Sequence, residues 1–338
     1  MKRVRSLTAL VFLVTGICWG QNLTKTGTTA AKFLSIPVGA RALGMGGAFV
    51  ALADDATGMY WNPAGIARAK QREVVLAHTE WIADIDFNYA GVILPLRDLG
   101  TVGVSFTSLN AGEMERTTED QPDGIGEYFS AGSFAIGISF ARNLTNWFSI
   151  GGNVKYISET IWNSGATGFA VDLGTLFTTP FPGLTFGAGI SNFGGKMQII
   201  GEDLLVQKDI SPNKGNNPNI NANLTTERFD LPLNLRIGIA YEAFADDWHT
   251  LVVAADASHP NDNAESINTG VEYSFFSRMI FIRAGYKGFG LREHEEEFTL
   301  GTGIQYNVSE ELGFKFDYAY ESFGRLKNIH KLALGVVF

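Results

Sequence analysis

The chain has 338 residues and a formal charge of −9, with 26 Lys and Arg against 35 Asp and Glu. That balance argues against a nucleic-acid partner, which needs a positive surface to displace counterions from phosphates. Hydrophobic residues make up 45% of the chain, yet past residue 20 no apolar run approaches the ~20 residues of a membrane helix, which excludes a helical membrane protein.

Residues 1–20 have the layout of a secretory signal peptide. Lys2, Arg3 and Arg5 precede an apolar run from Leu7 to Ile17, and small residues follow up to Gly20, which predicts a cut before Gln21. Cys18 is the only cysteine, and Ile17 crowds the position beside it, so the segment does not read as a lipoprotein signal and Cys18 leaves with it. The mature chain is then exported without a disulfide framework. Without Lys2, Arg3 and Arg5 it holds 23 basic against 35 acidic residues, a balance of −12.

Residues 30–70 are rich in Ala and Gly, lack sustained period two, and have the length of two or three short helices. Asn62 and Pro63 suit the start of a helical turn: Asn accepts backbone N–H bonds at the N-cap, and Pro at the first helical position gives up a donor that had no partner there. Gly44, Gly46 and Gly47 permit positive φ or close approach of two backbones.

From about residue 72 onward the signal is alternation. In TVGVSFT (101–107) Val102, Val104 and Phe106 share one face, and in LGFKFDYAY (312–320) Leu312, Phe314, Phe316, Tyr318 and Tyr320 do the same. Period two means strands with one apolar face. Fourteen such segments are centred near residues 76, 90, 104, 136, 152, 172, 187, 236, 252, 271, 283, 302, 316 and 334. Glycine, at 39 residues where average usage of about 7% gives about 24, and aromatics at 12% fit an all-β protein, either a soluble sandwich or a membrane barrel.

The links decide between these. Those near 97–100, 142–146, 179–183, 244–247, 276–278 and 308–310 are short, whereas 109–129, 193–228, 258–265 and 288–297 are longer and polar. This sorting is expected of a barrel with tight turns at one rim and loops at the other. The apolar faces are too bulky for the inside of a small barrel, and closure removes the edge that lipid cannot satisfy. Trp81, Trp147, Trp162 and Trp248 fall at strand ends, where an aromatic belt sits. The polar face, carrying Lys155, Asp172, Arg236, Asp256, Glu272, Arg283, Lys315 and Asp317, then lines the lumen. Arg at Val104 is expected to be costly and Arg at Ser105 much less so. The C-terminal KLALGVVF resembles the assembly signal of bacterial outer-membrane barrels, with Phe338 last, Val336 two before, small Ala333 where glycine is usual, and polar Lys331 seven before.

The expected architecture is a transmembrane antiparallel up-and-down β-barrel of about 14 strands over 72–338, after a signal peptide (1–20) and a short α-helical hatch or plug (21–71). Asp54 and Asp55 are candidates to latch the hatch to wall cations such as Arg236 or Arg283. Met45, Phe49, Met59 and Tyr60 are candidates either to line an apolar ligand pocket or to pack the hatch against the wall.

Residues 39–67, GARALGMGGAFVALADDATGMYWNPAGIA, resemble the N-terminal signature of the PorV/PorQ family, relatives of the FadL long-chain fatty-acid transporters, with the shared element held by Asn62, Pro63, Ala64 and Gly65. The resemblance implies a Gram-negative outer-membrane barrel with a hatch, embedded in outer-membrane lipid by the barrel-assembly machinery. PorV-like members serve type IX secretion, receiving C-terminal signal domains of cargo proteins; FadL-like members move hydrophobic solutes. The motif belongs to the hatch and suits both roles; the large polar loop after the seventh strand and the short segment before the hatch favour the secretion accessory. Catalysis is not indicated: Ser105 and Ser139 lie on the polar face, but no Gly-x-Ser-x-Gly element or triad spacing accompanies them. No cofactor or metal pattern is present; the acidic run 292–297 lacks calcium-loop spacing and reads as a solvated loop tip.

Overall fold

The computed structural model describes residues 26–209, 219–291 and 295–338. The signal segment with Cys18, the start of the hatch, and Arg292, Glu293 and His294 of the acidic run lie outside the described residues.

Fourteen strands form the wall: β1 (Glu73–Glu80), β2 (Asp86–Pro95), β3 (Thr101–Glu115), β4 (Tyr128–Asn143), β5 (Phe148–Ile161), β6 (Ser164–Thr178), β7 (Leu184–Gly194), β8 (Asn234–Ala245), β9 (Thr250–Pro260), β10 (Ser266–Phe275), β11 (Ile280–Phe289), β12 (Phe298–Asn307), β13 (Gly313–Glu321) and β14 (Ile329–Val337). Each pairs antiparallel with its chain neighbours, and β1 pairs with β14 from Glu73↔Val337 to Glu80↔His330, which closes the barrel. All fourteen expected segments fall in these strands.

Both ends of the barrel domain meet at one rim, where Arg72 and Phe338 exchange backbone hydrogen bonds of 3.1 and 2.9 Å. This terminal rim carries the short turns; the far rim carries the excursions, although the β5–β6 link there is only residues 162–163. Two expected loops are partly strand. β3 and β4 run on to Glu115 and back from Tyr128 as a projecting hairpin, with a bulge between Asn110 and Glu113. A hairpin wetted on both sides needs no apolar alternation, so its sequence carries no period-two signal. The β7–β8 excursion likewise holds a two-stranded ribbon, residues 205–208 paired with 220–223.

The wall is apolar outside and charged inside. Val104, Ile138, Phe169, Leu173 and Leu334 project outward and are more than half exposed, whereas Asp172, Asp256, Glu272, Arg283 and Lys331 are buried on the lumen side. A soluble barrel would place these faces the other way, since apolar area in water costs roughly 25 cal/mol per Å². The arrangement fits a barrel surrounded by hydrocarbon. Trp147 and Trp248 are exposed at the terminal rim and Trp162 at the far rim. Trp81 instead packs edge-on against buried Phe323.

Candidate functional site

Residues 26–72 thread the barrel from the far rim to the terminal rim. At the far rim Thr29 bridges to Asp230, Ala30 N–H donates to Asp230 O at 2.9 Å, and Lys32 Nζ pairs with Asp262 at 2.5 Å. The segment then makes a 3-10 turn (Lys32–Ser35), α1 (Ala40–Gly44), α2 (Gly58–Trp61) and a second 3-10 turn (Pro63–Arg68) before entering β1. α1 stops after about one turn because Gly46 and Gly47 adopt positive φ, 66° and 76°.

Wall glycines let the plug backbone touch the sheet. A Cβ at Gly270 or Gly285 would strike the Met45–Gly46 backbone, one at Gly301 would press on Gly44, one at Gly187 on Val50, one at Gly174 on Asn62, and one at Gly151 on Pro63 and Ala64. Gly65 is equally tight, against the Ala53 carbonyl within the plug. Side chains as large as alanine's are therefore excluded along the contact line.

Three polar side chains satisfy backbone groups that the irregular plug leaves without partners. Asn62, fully buried, accepts from Ala64 N–H at 3.2 Å as the N-cap expected from Asn62-Pro63, and its amide donates to Val50 O at 2.9 Å and to the wall carbonyl of Thr175 at 3.0 Å. Asp256 of β9 accepts from Phe49 and Val50 N–H at 2.7 and 2.8 Å. Glu73 of β1 accepts from Ala56 N–H at 3.0 Å and pairs with Lys315 at 2.6 Å.

The charged latch differs from the expected one. Asp54 and Asp55 meet Arg41 of α1, at 2.6 and 3.6 Å, rather than Arg236 or Arg283. Arg41 reaches the wall instead, with Nε and Nη2 on Glu272 at 3.1 and 3.2 Å. Glu272 also accepts from Arg283 at 2.6 Å, and Arg283 continues to Asp317 at 2.6 Å. Arg41 is thus held between three carboxylates, two from the plug and one from the wall. Arg236 lies over the rings of Tyr60 and Trp61, 5.3 and 5.1 Å from their centroids. Lys155 pairs with Asp172 at 2.9 Å, and Lys331 donates to Pro37 O inside the lumen. On the acidic run, Glu295 pairs with Arg325 of the β13–β14 loop and Glu296 with Lys287 of β11, so these two carboxylates tie their loop to its surroundings.

Met45, Phe49 and Met59 are fully buried in three separate apolar clusters, where they pack the plug. Tyr60 borders a crevice with Trp61, Pro63, Leu173, Gly189 and Arg236 that is too tight to hold a water molecule. The wall beside it is irregular: between Val171 and Leu173 the β6–β7 register shifts, with Asn192 at φ 61° donating its N–H to Asp172 at 2.7 Å. Arg41, Glu73 and the wall glycines were not singled out by the sequence. The glycines did leave a signal, recurring on the polar face of successive strands.

The sequence matches the model of the Uncharacterised protein family (UPF0164) over residues 6–338. No curated protein matches it. Solved structures with a similar fold include the CymD monoaromatic hydrocarbon channel (TM-score 0.57, 12% identity, 89% of this chain and 97% of that one) and the Pseudomonas putida toluene transporter TodX (0.58, 11%, 89% and 97%). A FadL homologue of Pseudomonas aeruginosa is similar too (0.52, 13%, 94% and 98%). At these identities the likeness is one of fold. By its match over nearly its whole length, the chain belongs to the uncharacterised protein family UPF0164.

Proposed function

We propose that this protein is a FadL-like channel of the Gram-negative outer membrane that passes hydrophobic solutes. The observation that carries the reading is the plugged barrel itself: residues 26–72 fill the lumen from rim to rim, and Tyr60 and Trp61 of the plug pack beside the β6–β7 bulge of the wall with no room for a water molecule between them, so passage requires the plug to move. Once the plug shifts, a solute there meets the rings of Tyr60 and Trp61 and the place where the β6–β7 ladder is interrupted. The likeness in fold to channels named for toluene and monoaromatic hydrocarbons supports the same reading.

A type IX secretion accessory is the second reading, supported by the resemblance of residues 39–67 to PorV/PorQ proteins and by the long β7–β8 excursion. The fold comparisons favour the solute channel. Among the described residues the histidines lie on the outer face or at the rims, away from Ser105 and Ser139, and the similar structures are channels and transporters. Uptake of radiolabelled toluene and oleate by cells with and without the gene tests the proposal. Slower uptake with normal protein secretion supports the channel. Unchanged uptake with cargo retained in the periplasm overturns it in favour of secretion.

A further inference from the structure

Above β6 the apolar outer face does not stop with the barrel. Residues 200–201 return from the β7–β8 excursion to pair with the end of β6, Ile200 opposite Gly165 and Gly201 opposite Ser164. Opposed residues of an antiparallel pair project to the same side, and Gly165 shares its side with Phe169, Val171 and Leu173. Ile200 therefore extends that outward column, and it is 68% exposed. From β1 to β5 the same hydrogen-bonded row of the outer face holds Glu80, Asp86, Asn110 and Thr160, so Ile200 is an apolar end to that stretch of the row.

The ribbon that follows is amphipathic. Its register pairs Val206 with Ala222 and Lys208 with Ile220, so Val206, Ala222 and Ile220 share a face that the alternation continues to Leu224, with Lys208 at its edge, where a long stem lets the ammonium reach water, while Gln207, Asn221 and Asn223 share the other with Leu205. Ile220 and Leu224 are exposed on the apolar face. An isolated two-stranded ribbon is marginal in water, and an apolar face on one calls for cover.

We propose that Ile200 and the apolar face of this ribbon dock on lipid acyl chains of the outer leaflet, extending the hydrocarbon contact of β6 beyond the barrel wall. Continuity with the lipid-facing column Leu173, Val171 and Phe169 identifies the occupant as acyl chain. The inference rests on the membrane reading above.

Single cysteines at Ile200→Cys, Leu224→Cys, Gln207→Cys and Val104→Cys, in the full chain carrying Cys18→Ser, are spin-labelled in phosphatidylcholine vesicles. Collision with oxygen, which partitions into lipid, is compared with collision with a water-soluble nickel chelate. At 200 and 224 oxygen is expected to exceed nickel several-fold, as at 104, with nickel dominant at 207. Nickel dominance at 200 and 224 with lipid-like behaviour at 104 overturns the proposal, and so does shielding of both sites from both reagents, which would mark a second protein copy as the cover. Nickel dominance at 104 overturns the membrane reading itself.

Discussion

Asn62 of the plug lies directly over Gly174 of β6: a Cβ at position 174 would overlap Asn62 Oδ1 and come within 3.0 Å of Pro63 Cδ. Asn62 cannot step aside, because its amide is committed to Val50 O and Thr175 O. Gly174→Ala is expected to destabilise the protein by about 1–3 kcal/mol, the usual range for overpacking a filled site. Gly152→Ala, on the neighbouring strand but facing outward with its nearest new contact at 3.6 Å, should be near neutral. Thermal unfolding in detergent separates the two, and greater protease sensitivity of residues 40–70 in Gly174→Ala would locate the damage in the plug.

Arg41 is the plug's main charged link to the wall, and it leaves a partner behind when removed. In Arg41→Ala, Glu272 keeps Arg283, so the loss should fall below the about 3–5 kcal/mol typical of breaking a buried ion pair outright. Asp54 and Asp55 lose their cation at the same time. A loosened plug should raise ion conductance in planar bilayers above the wild-type level. Arg41→Lys, which keeps the charge but not the two-pronged contact, should be intermediate. Unchanged conductance and stability in Arg41→Ala would remove Arg41 as the latch.

The wall was legible because a lipid-facing barrel writes its geometry as period two, and Val104 and Phe169 stand outside where the alternation put them. The Asn62 cap was legible because N-capping is local chemistry. How tightly the lumen is filled was not, since nothing in a strand's alternation reports what occupies the other side. Arg41 was missed for the same reason: its partner Glu272 is 231 residues away in sequence.

That blind spot revises one expectation. Val104→Arg should still cost roughly 2–4 kcal/mol near the bilayer midplane. Ser105, however, is only 7% exposed and faces a packed interior, where a Cβ on Gly137 would already crowd its hydroxyl. Ser105→Arg is thus expected to be as damaging as Val104→Arg, through overpacking instead of charge burial in lipid. The informative lumen control is Gln305→Arg, beside a polar recess at the terminal rim lined by Gln71, Asn307 and Glu310. Refolding yield into lipid vesicles should rank Gln305→Arg well above the other two; equal yields for Gln305→Arg and Val104→Arg would contradict the assignment of faces.

Asp256 offers a test of how the plug backbone is held. Its Oδ2 accepts two adjacent amides, from Phe49 and Val50, in a stretch with no strand partner to replace it. Asp256→Ala leaves both N–H groups buried and unsatisfied, at about 1–3 kcal/mol each. Asp256→Asn retains a carbonyl oxygen in the same place and so can keep accepting, losing only the charge-assisted part of the bonds, which are roughly twice as strong when the acceptor is ionised. The alanine variant should therefore unfold at a clearly lower temperature in detergent than the asparagine variant, with hydrogen exchange at Phe49 and Val50 accelerated most in alanine. If the two variants behave alike, hydrogen-bond acceptance is not what Asp256 contributes, and the plug must be held at that point by Asn62 on Val50 O and by packing against Gly187 and Gly238.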